Sequence, residues 1–291
     1  MESSTGLRTS PLTVSDEVGH AAAAEFVEVV AHEDLSIIES LFGNEVPFVA
    51  GMAVDAFVAV ASLDDIPRIR AMLKSRNANE REAAVRAAGK LALRELVTEI
   101  RPMLEDESEL VRVFAAEVLG KLGIADDWGS LERMVRDQGE VSDARASALD
   151  SVAELAEPKD FDRMVALIRN LEEDEPGMFD RALERIATRG QISRIEPLLI
   201  DDSLLSRAAA RAFAMIAIPE DRQKLSWMLA NGNVGQKIAA LLAVGRLRQR
   251  EFLPVVKSLL EDPDWDVANA AADSFPELVI RDDLEDVLAM L

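Results

Sequence analysis

The sequence predicts an all-α chain, an α-solenoid of about nine antiparallel helix pairs, and three observations carry that reading. A pattern read from Val111 to Leu122 returns along almost the whole chain, its apolar residues fall at helical spacing, and a second apolar stretch follows each copy.

Within Val111–Leu122, the residues Val111, Ala115, Val118, Leu119 and Leu122 recur three and four apart, which places them on one face of a helix. Ala115, Ala116 and Gly120 are small, so a neighbouring helix can come close. With Gly120 as marker, the same frame falls on Val27, Val58 and Gly89 before it, and on Ala153, Ala187, Ala214, Gly245 and Pro276 after it. The intervals are 31, 31, 31, 33, 34, 27, 31 and 31 residues. A near-constant period of this length is the signature of a stack of copies, each covering its apolar face with its neighbours.

The second helix of a copy is represented by Glu95 to Asp106. Its counterparts are Leu35 to Phe42, Ile66 to Leu73, Leu131 to Val135, Phe161 to Leu171, Ile195 to Ile200, Phe252 to Leu260 and Leu284 to Leu291. Pro67, Pro102, Pro197 and Pro254 fall in these stretches, and proline lacks an amide donor and crowds the preceding turn. These helices are therefore predicted to start or bend there.

In chain order, residues 1–14 are expected to be a flexible polar tail and residues 15–291 a single array. The first copy, 15–43, is the least regular and suits a terminal copy with a polar outer face. The marked helix of the second, Val46 to Ala61, is unusually apolar, with Phe48, Val49, Met52, Val54 and Phe57, and is expected to be covered by the first. Copies three and four, 63–123, are the most regular. Acidic turns at 137–140 and 171–177, followed by one short interval, predict a change of twist in the middle. Leu284, Val287, Leu288 and Leu291 share a face of the last helix, read as core, with homodimer formation through that end as the alternative.

Val111-Arg112, Ala115-Ala116, Val118-Leu119-Gly120 and the preceding Leu104-Glu105-Asp106, together with Glu261 to Val267, resemble the HEAT repeat in its short form named after phycobilisome lyases. The resemblance covers residues 15–291 and is specific for fold rather than activity. It implies a ladder tying adjacent copies. The Arg112 place holds Arg81, Arg145 and Lys237 in other copies, with Asp106 or Asp262 in the turns. It also implies that the marked helices line a concave side. Counted from Val111, the fourth, seventh and eleventh positions then form a strip, whose candidate partner-binding residues are Met52, Arg86, Lys90, Phe114, Glu117, Lys121, Asp150, Arg181, Arg211 and Leu242. Aromatic and arginine anchors among charges of both signs suit a protein or peptide. Phe114 fills the ridge between copies equally well.

The formal net charge of −22 and pI near 4.5 oppose a nucleic-acid binder, which must set Lys and Arg along phosphates, and oppose an anionic membrane surface. They favour a basic partner, or simply solubility. With no cysteine there are neither disulfides nor thiolate metal sites. His20 and His32 are the two histidines, and the single His32-Glu33 pair cannot build the di-iron site of deoxyhypusine hydroxylases, which need several such pairs. Trp128, Trp227 and Trp265 occupy different places in their copies, unlike the shared aromatic face of alkylation-repeat DNA glycosylases; Trp265 is expected to pack on the neighbouring copy. No apolar run reaches the roughly 20 residues needed to span a bilayer, and the first residues lack a secretion signal, so a cytoplasmic location is expected. These readings converge on a non-enzymatic protein-interaction scaffold or adaptor without catalytic residues, cofactor or metal. The alternative is a lyase or chaperone of the phycobilisome-lyase type acting on a tetrapyrrole-bearing protein, told apart by a visible absorbance band.

Overall fold

The computed structural model describes Phe26, residues 29–169, Leu171, residues 182–200 and residues 204–280. Among the described residues every regular element is helical. Expectations for the tail, His20, the marked helix of the first copy, the acidic turn at 172–177 and the last helix at 284–291 lie outside them.

The chain divides into two compact units, with the boundary in the sequence after Gly123. The N-terminal unit holds α1 (Leu35–Leu41), α2 (Pro47–Val60), α3 (Ile66–Met72), α4 (Ala78–Lys90), α5 (Val97–Ile100) and α6 (Glu109–Leu122). The C-terminal unit holds α7 (Trp128–Arg136), α8 (Ser142–Leu155), α9 (Phe161–Arg169), α10 (Ile192–Ile195), α11 (Leu204–Ile216), α12 (Arg222–Asn231), α13 (Val234–Arg246), α14 (Leu253–Leu259) and α15 (Trp265–Leu278). Helices α2, α4, α6, α8, α11, α13 and α15 carry the marker positions. No single helix among the described residues is long and apolar enough to cross a membrane.

Each described second helix is entered through a 3-10 turn, and in all but α5 and α14 a recurrent side chain makes that turn. The third residue of the turn accepts a hydrogen bond from the backbone N–H of the residue just before it. Asp34 does so for Ala31 at 2.9 Å, Asp65 for Ser62 at 2.9 Å, Asp127 for Ile124 at 2.9 Å and Asp221 for Ile218 at 3.0 Å. Gln191 does the same for Thr188 at 2.7 Å. An otherwise orphaned donor at the helix start is thereby satisfied. The prolines act as expected: Pro67 and Pro254 stand in the first turns of α3 and α14, while Pro102 and Pro197 follow the ends of α5 and α10, where the chain tightens into 3-10 turns.

In the N-terminal unit the marked helices pack in sequence, α2 on α4 and α4 on α6; in the C-terminal unit α11, α13 and α15 do likewise. Small residues set the approach. A Cβ built on Gly89 would lie 2.6 Å from Cγ2 of Val118, and one on Gly245 would lie 3.0 Å from Cβ of Ser274. Ala83, Ala84, Ala87 and Ala88 of α4 and Ala115 and Ala116 of α6 are fully buried in this seam. Ile69, Leu96 and Ile100 seal the other side, and Phe42 meets Phe57 edge-on at 5.9 Å. Each such large side chain contributes about 1.5–3 kcal/mol when fully buried.

Four expectations need correction. Residues 182–186, ahead of the marker Ala187, form turns rather than a marked helix, and the short following interval is absorbed by the four-residue α10. Among the described markers Gly120, Ala153, Ala214 and Gly245 are buried, whereas Val58, Gly89, Ala187 and Pro276 are not. Val54 and Phe57 are buried in the apolar second copy, but Phe48 stays 39% exposed. Trp265, expected against the neighbouring copy, is 75% exposed.

Helices α4 and α13 end alike. Ala92 and Arg248 both adopt a φ of 53°, the left-handed region. The next residue then reaches back, Leu93 N–H to the Ala88 carbonyl at 2.9 Å and Gln249 N–H to the Val244 carbonyl at 3.0 Å, closing the helix end. A side chain is strained there and glycine is not. Two exchanges three residues apart should therefore have opposite signs in urea denaturation. Ala92→Gly is expected to add about 0.5–1 kcal/mol to the unfolding free energy, and Gly89→Ala to remove about 1–3 kcal/mol. Equal signs would contradict this account of the seam and the helix end.

Candidate interaction face

The strip read from the sequence begins on α2, α4 and α6, and in the N-terminal unit it is a connected structure. Arg86, one-quarter exposed, sits at its centre. Its Nη2 donates to Oδ1 of Asp55 on α2 at 2.7 Å, its Nη1 to Oε1 of Glu82 at 3.0 Å, and its Cζ lies 4.7 Å from the ring centroid of Phe114 on α6. One guanidinium thus joins three consecutive marked helices. Lys90 donates to the carbonyls of Val58 and Ala59 at 2.7 and 2.6 Å, neutralising the negative end of α2. Met52 is half-buried. Among the described residues Glu117 and Lys121 have no intramolecular partner; Glu117 is half-buried and Lys121 exposed.

In the C-terminal unit Arg211 on α11 pairs with Glu184 at 2.5 Å, Leu242 on α13 is half-buried and Asp150 on α8 is exposed. Arg181 lies outside the described residues. Arg246 repeats the part of Lys90, donating to the Ala214 carbonyl at 2.7 Å and also to that of Ala217.

The ladder of Arg and Asp is present. Arg81 grips Asp106 of the following turn with two bonds of 2.7 Å, and Lys237 reaches Asp262 at 2.8 Å. Arg112 and Arg145 donate to backbone carbonyls, those of Asp106 at 2.7 Å and Val135 at 3.2 Å. A second ladder was missed by sequence reasoning. His32 Nε2 meets Asp65 at 2.8 Å, and Arg189 holds Asp221 with bonds of 2.5 and 2.6 Å. Its carboxylates are those that organise the 3-10 turns, and their recurrence at the turn was the available signal. Stacking adds a third kind of tie. Arg163 covers the ring of Trp128 at 4.6 Å and Arg194 that of Phe161 at 4.9 Å.

Charge states follow from these partners. The Lys237 ammonium, helped by the Asp264 N–H, holds the Asp262 carboxyl below the ordinary aspartate value. Burial pushes Asp221 and Asp65 up, but Arg189 with the Ile218 N–H, and the Ser62 N–H with His32, outweigh it and bring both down. Glu82, nearly buried, goes the other way: burial raises it and Arg86 only partly compensates. Among the described residues no group of three or more His, Cys, Asp or Glu side chains is placed to hold a metal ion.

Residues 66–153 match the family model for HEAT repeats. No curated protein matches the sequence. Among solved structures it is similar to Escherichia coli YibA, with 18% identity over 77% of this chain and 95% of that one and a TM-score of 0.41. It is also similar to the karyopherin Kap121p bound to Ste12p, with 15% identity, 91% and 34% coverage and a TM-score of 0.45, so it spans about a third of that protein. Human deoxyhypusine hydroxylase matches with 14% identity, 90% and 99% coverage and a TM-score of 0.33.

Because the folded pKa of Glu82 is raised, its contribution to stability is present below the ordinary glutamate range and is lost as pH rises through the folded value. At neutral pH its buried charge is a net cost. Glu82→Gln is therefore expected to raise the urea midpoint at about pH 7 and leave it nearly unchanged at about pH 4. Asp65, Asp221 and Asp262, depressed in the fold, should instead withdraw stability as pH falls through their folded values, so the wild-type midpoint should drop on acidification below the aspartate range. A Gln variant less stable at neutral pH would show that the bond to Arg86 outweighs desolvation.

Proposed function

We propose that this HEAT-repeat chain is a non-enzymatic scaffold, acting in the cytoplasm, that holds a protein or peptide partner against the marked helices of its N-terminal unit. One observation carries the reading. Among the described residues Glu117 and Lys121 stand one turn apart on α6 without a partner of their own, next to Phe114, in a strip whose other cations are consumed by ties between copies. Arg86 and Lys90 then serve as rigid support, fixing the aromatic ring and the helix spacing, while Met52, Phe114, Glu117 and Lys121 supply contacts. An immobilised surface of this kind loses little entropy on binding. The net charge of −22 supports a partner of basic character.

The division into supporting and contacting residues selects the test. Arg86 is tied on three sides, so its loss would confuse folding with binding. Glu117→Lys combined with Lys121→Glu keeps the net charge and removes no tie. This double variant is expected to unfold within about 0.5 kcal/mol of the wild type and to lose the protein that the immobilised wild-type chain is expected to capture from lysate. Capture retained at wild-type level would overturn the assignment of this strip.

A further inference from the structure

Three aromatic rings of this chain are covered by an arginine from elsewhere in the fold: Phe114 by Arg86, Trp128 by Arg163 and Phe161 by Arg194. Among the described residues no arginine covers Trp265 in this way. It opens α15 with 75% of its surface exposed, although indole is the ring that attracts a cation most strongly. Its surroundings are acidic, and the local bonding shows which carboxylates are already used. Asp262 is engaged by Lys237 and by the Asp264 N–H at 3.0 Å. Asp264 caps α15, accepting from the N–H groups of Asp266 at 3.1 Å and Val267 at 3.2 Å. Glu261 and Asp266 remain exposed, and neither side chain has a partner among the described residues.

A bare indole with one exposed carboxylate next to it in the sequence, Asp266, and another four residues before it, Glu261, is the complement of a cationic side chain. The positive end of α15 opposes a cation, but it amounts to only about half a charge, and Asp264 and Asp266 outweigh it. Trp227 shows that exposure alone does not make such a place. It is 55% exposed, but its helix, Arg222–Asn231, contains Arg222 and Lys224 and no carboxylate.

We propose that Trp265, with Glu261 and Asp266, receives an arginine side chain from a partner protein. The guanidinium lies on the indole face as Arg163 lies on Trp128, and the carboxylates hold its edge. This contact belongs to the C-terminal unit and does not depend on the strip around Phe114.

The test is a fluorescence-anisotropy titration of fluorescein-labelled hexa-arginine with the full chain in about 0.15 M salt, where diffuse attraction is largely screened beyond about 8 Å. Trp265→Ala is expected to weaken binding about fivefold, Trp265→Phe to weaken it less, and Glu261→Gln with Asp266→Asn to weaken it to a similar degree. Glu33→Gln with Asp64→Asn, which removes two exposed carboxylates from the N-terminal unit, should leave affinity unchanged. No measurable binding by the wild type, wild-type affinity in Trp265→Ala, or equal weakening by the distant acidic pair would each overturn the proposal; the last would mean diffuse charge alone.

Discussion

The close approach of consecutive marked helices is the constraint on which the rest of the structure depends. At Gly89 and Gly245 there is no room for a side chain, because Val118 and Ser274 of the next copy occupy the space. An apolar face built mainly from alanine, as in α4, buries little area per residue. It becomes a stable seam only if the facing helix comes close enough for dense dispersion contact. Small residues at the marker therefore fix the distance, and the distance allows a chain with 4% aromatic residues to pack a core within each unit.

Polar ties take over where packing alone would let copies slide. Arg81 with Asp106 and Arg189 with Asp221 are well-formed pairs with a nearly buried carboxylate, and such pairs specify geometry more securely than they add stability. Lys90 and Arg246 secure the ends of preceding marked helices, and Arg86 spans three helices at once. The functional consequence is an inversion of what the strip suggests. Its most conspicuous cations are structural, and the residues available to a partner are the less conspicuous Glu117 and Lys121. A chain with so large an acid excess spends many of its basic side chains internally, which leaves its free surface more acidic still.

Most of the architecture was legible from period and pattern. The small marker residues, the second helices and the effect of Pro67, Pro102, Pro197 and Pro254 all express local rules. The Arg81–Asp106 and Lys237–Asp262 ties were legible through the HEAT resemblance. The second ladder was not, because Asp65 and Asp221 look like ordinary turn residues until the stack brings His32 and Arg189 to them from about one period away. For the same reason the strip could be listed but not sorted. Whether Arg86 or Lys121 is free depends on residues in the neighbouring copy, and helical spacing within one copy says nothing of that. Residues 182–186 departed from the pattern where the interval between markers was irregular, and Trp265 was placed against a neighbour because hydrophobicity alone was used to judge it.

The most direct measurement of whether nearest-neighbour seams, rather than one central core, hold the chain is the removal of a whole copy in register. Deleting residues 78–108 joins Asn77 to Glu109 and sets α6 in the place of α4. Followed by circular dichroism in urea, the shortened chain should keep the helicity per residue of the full chain and unfold cooperatively, with a denaturant slope reduced in proportion to the length removed. Loss of the helical signal, or of a cooperative transition, would contradict the account.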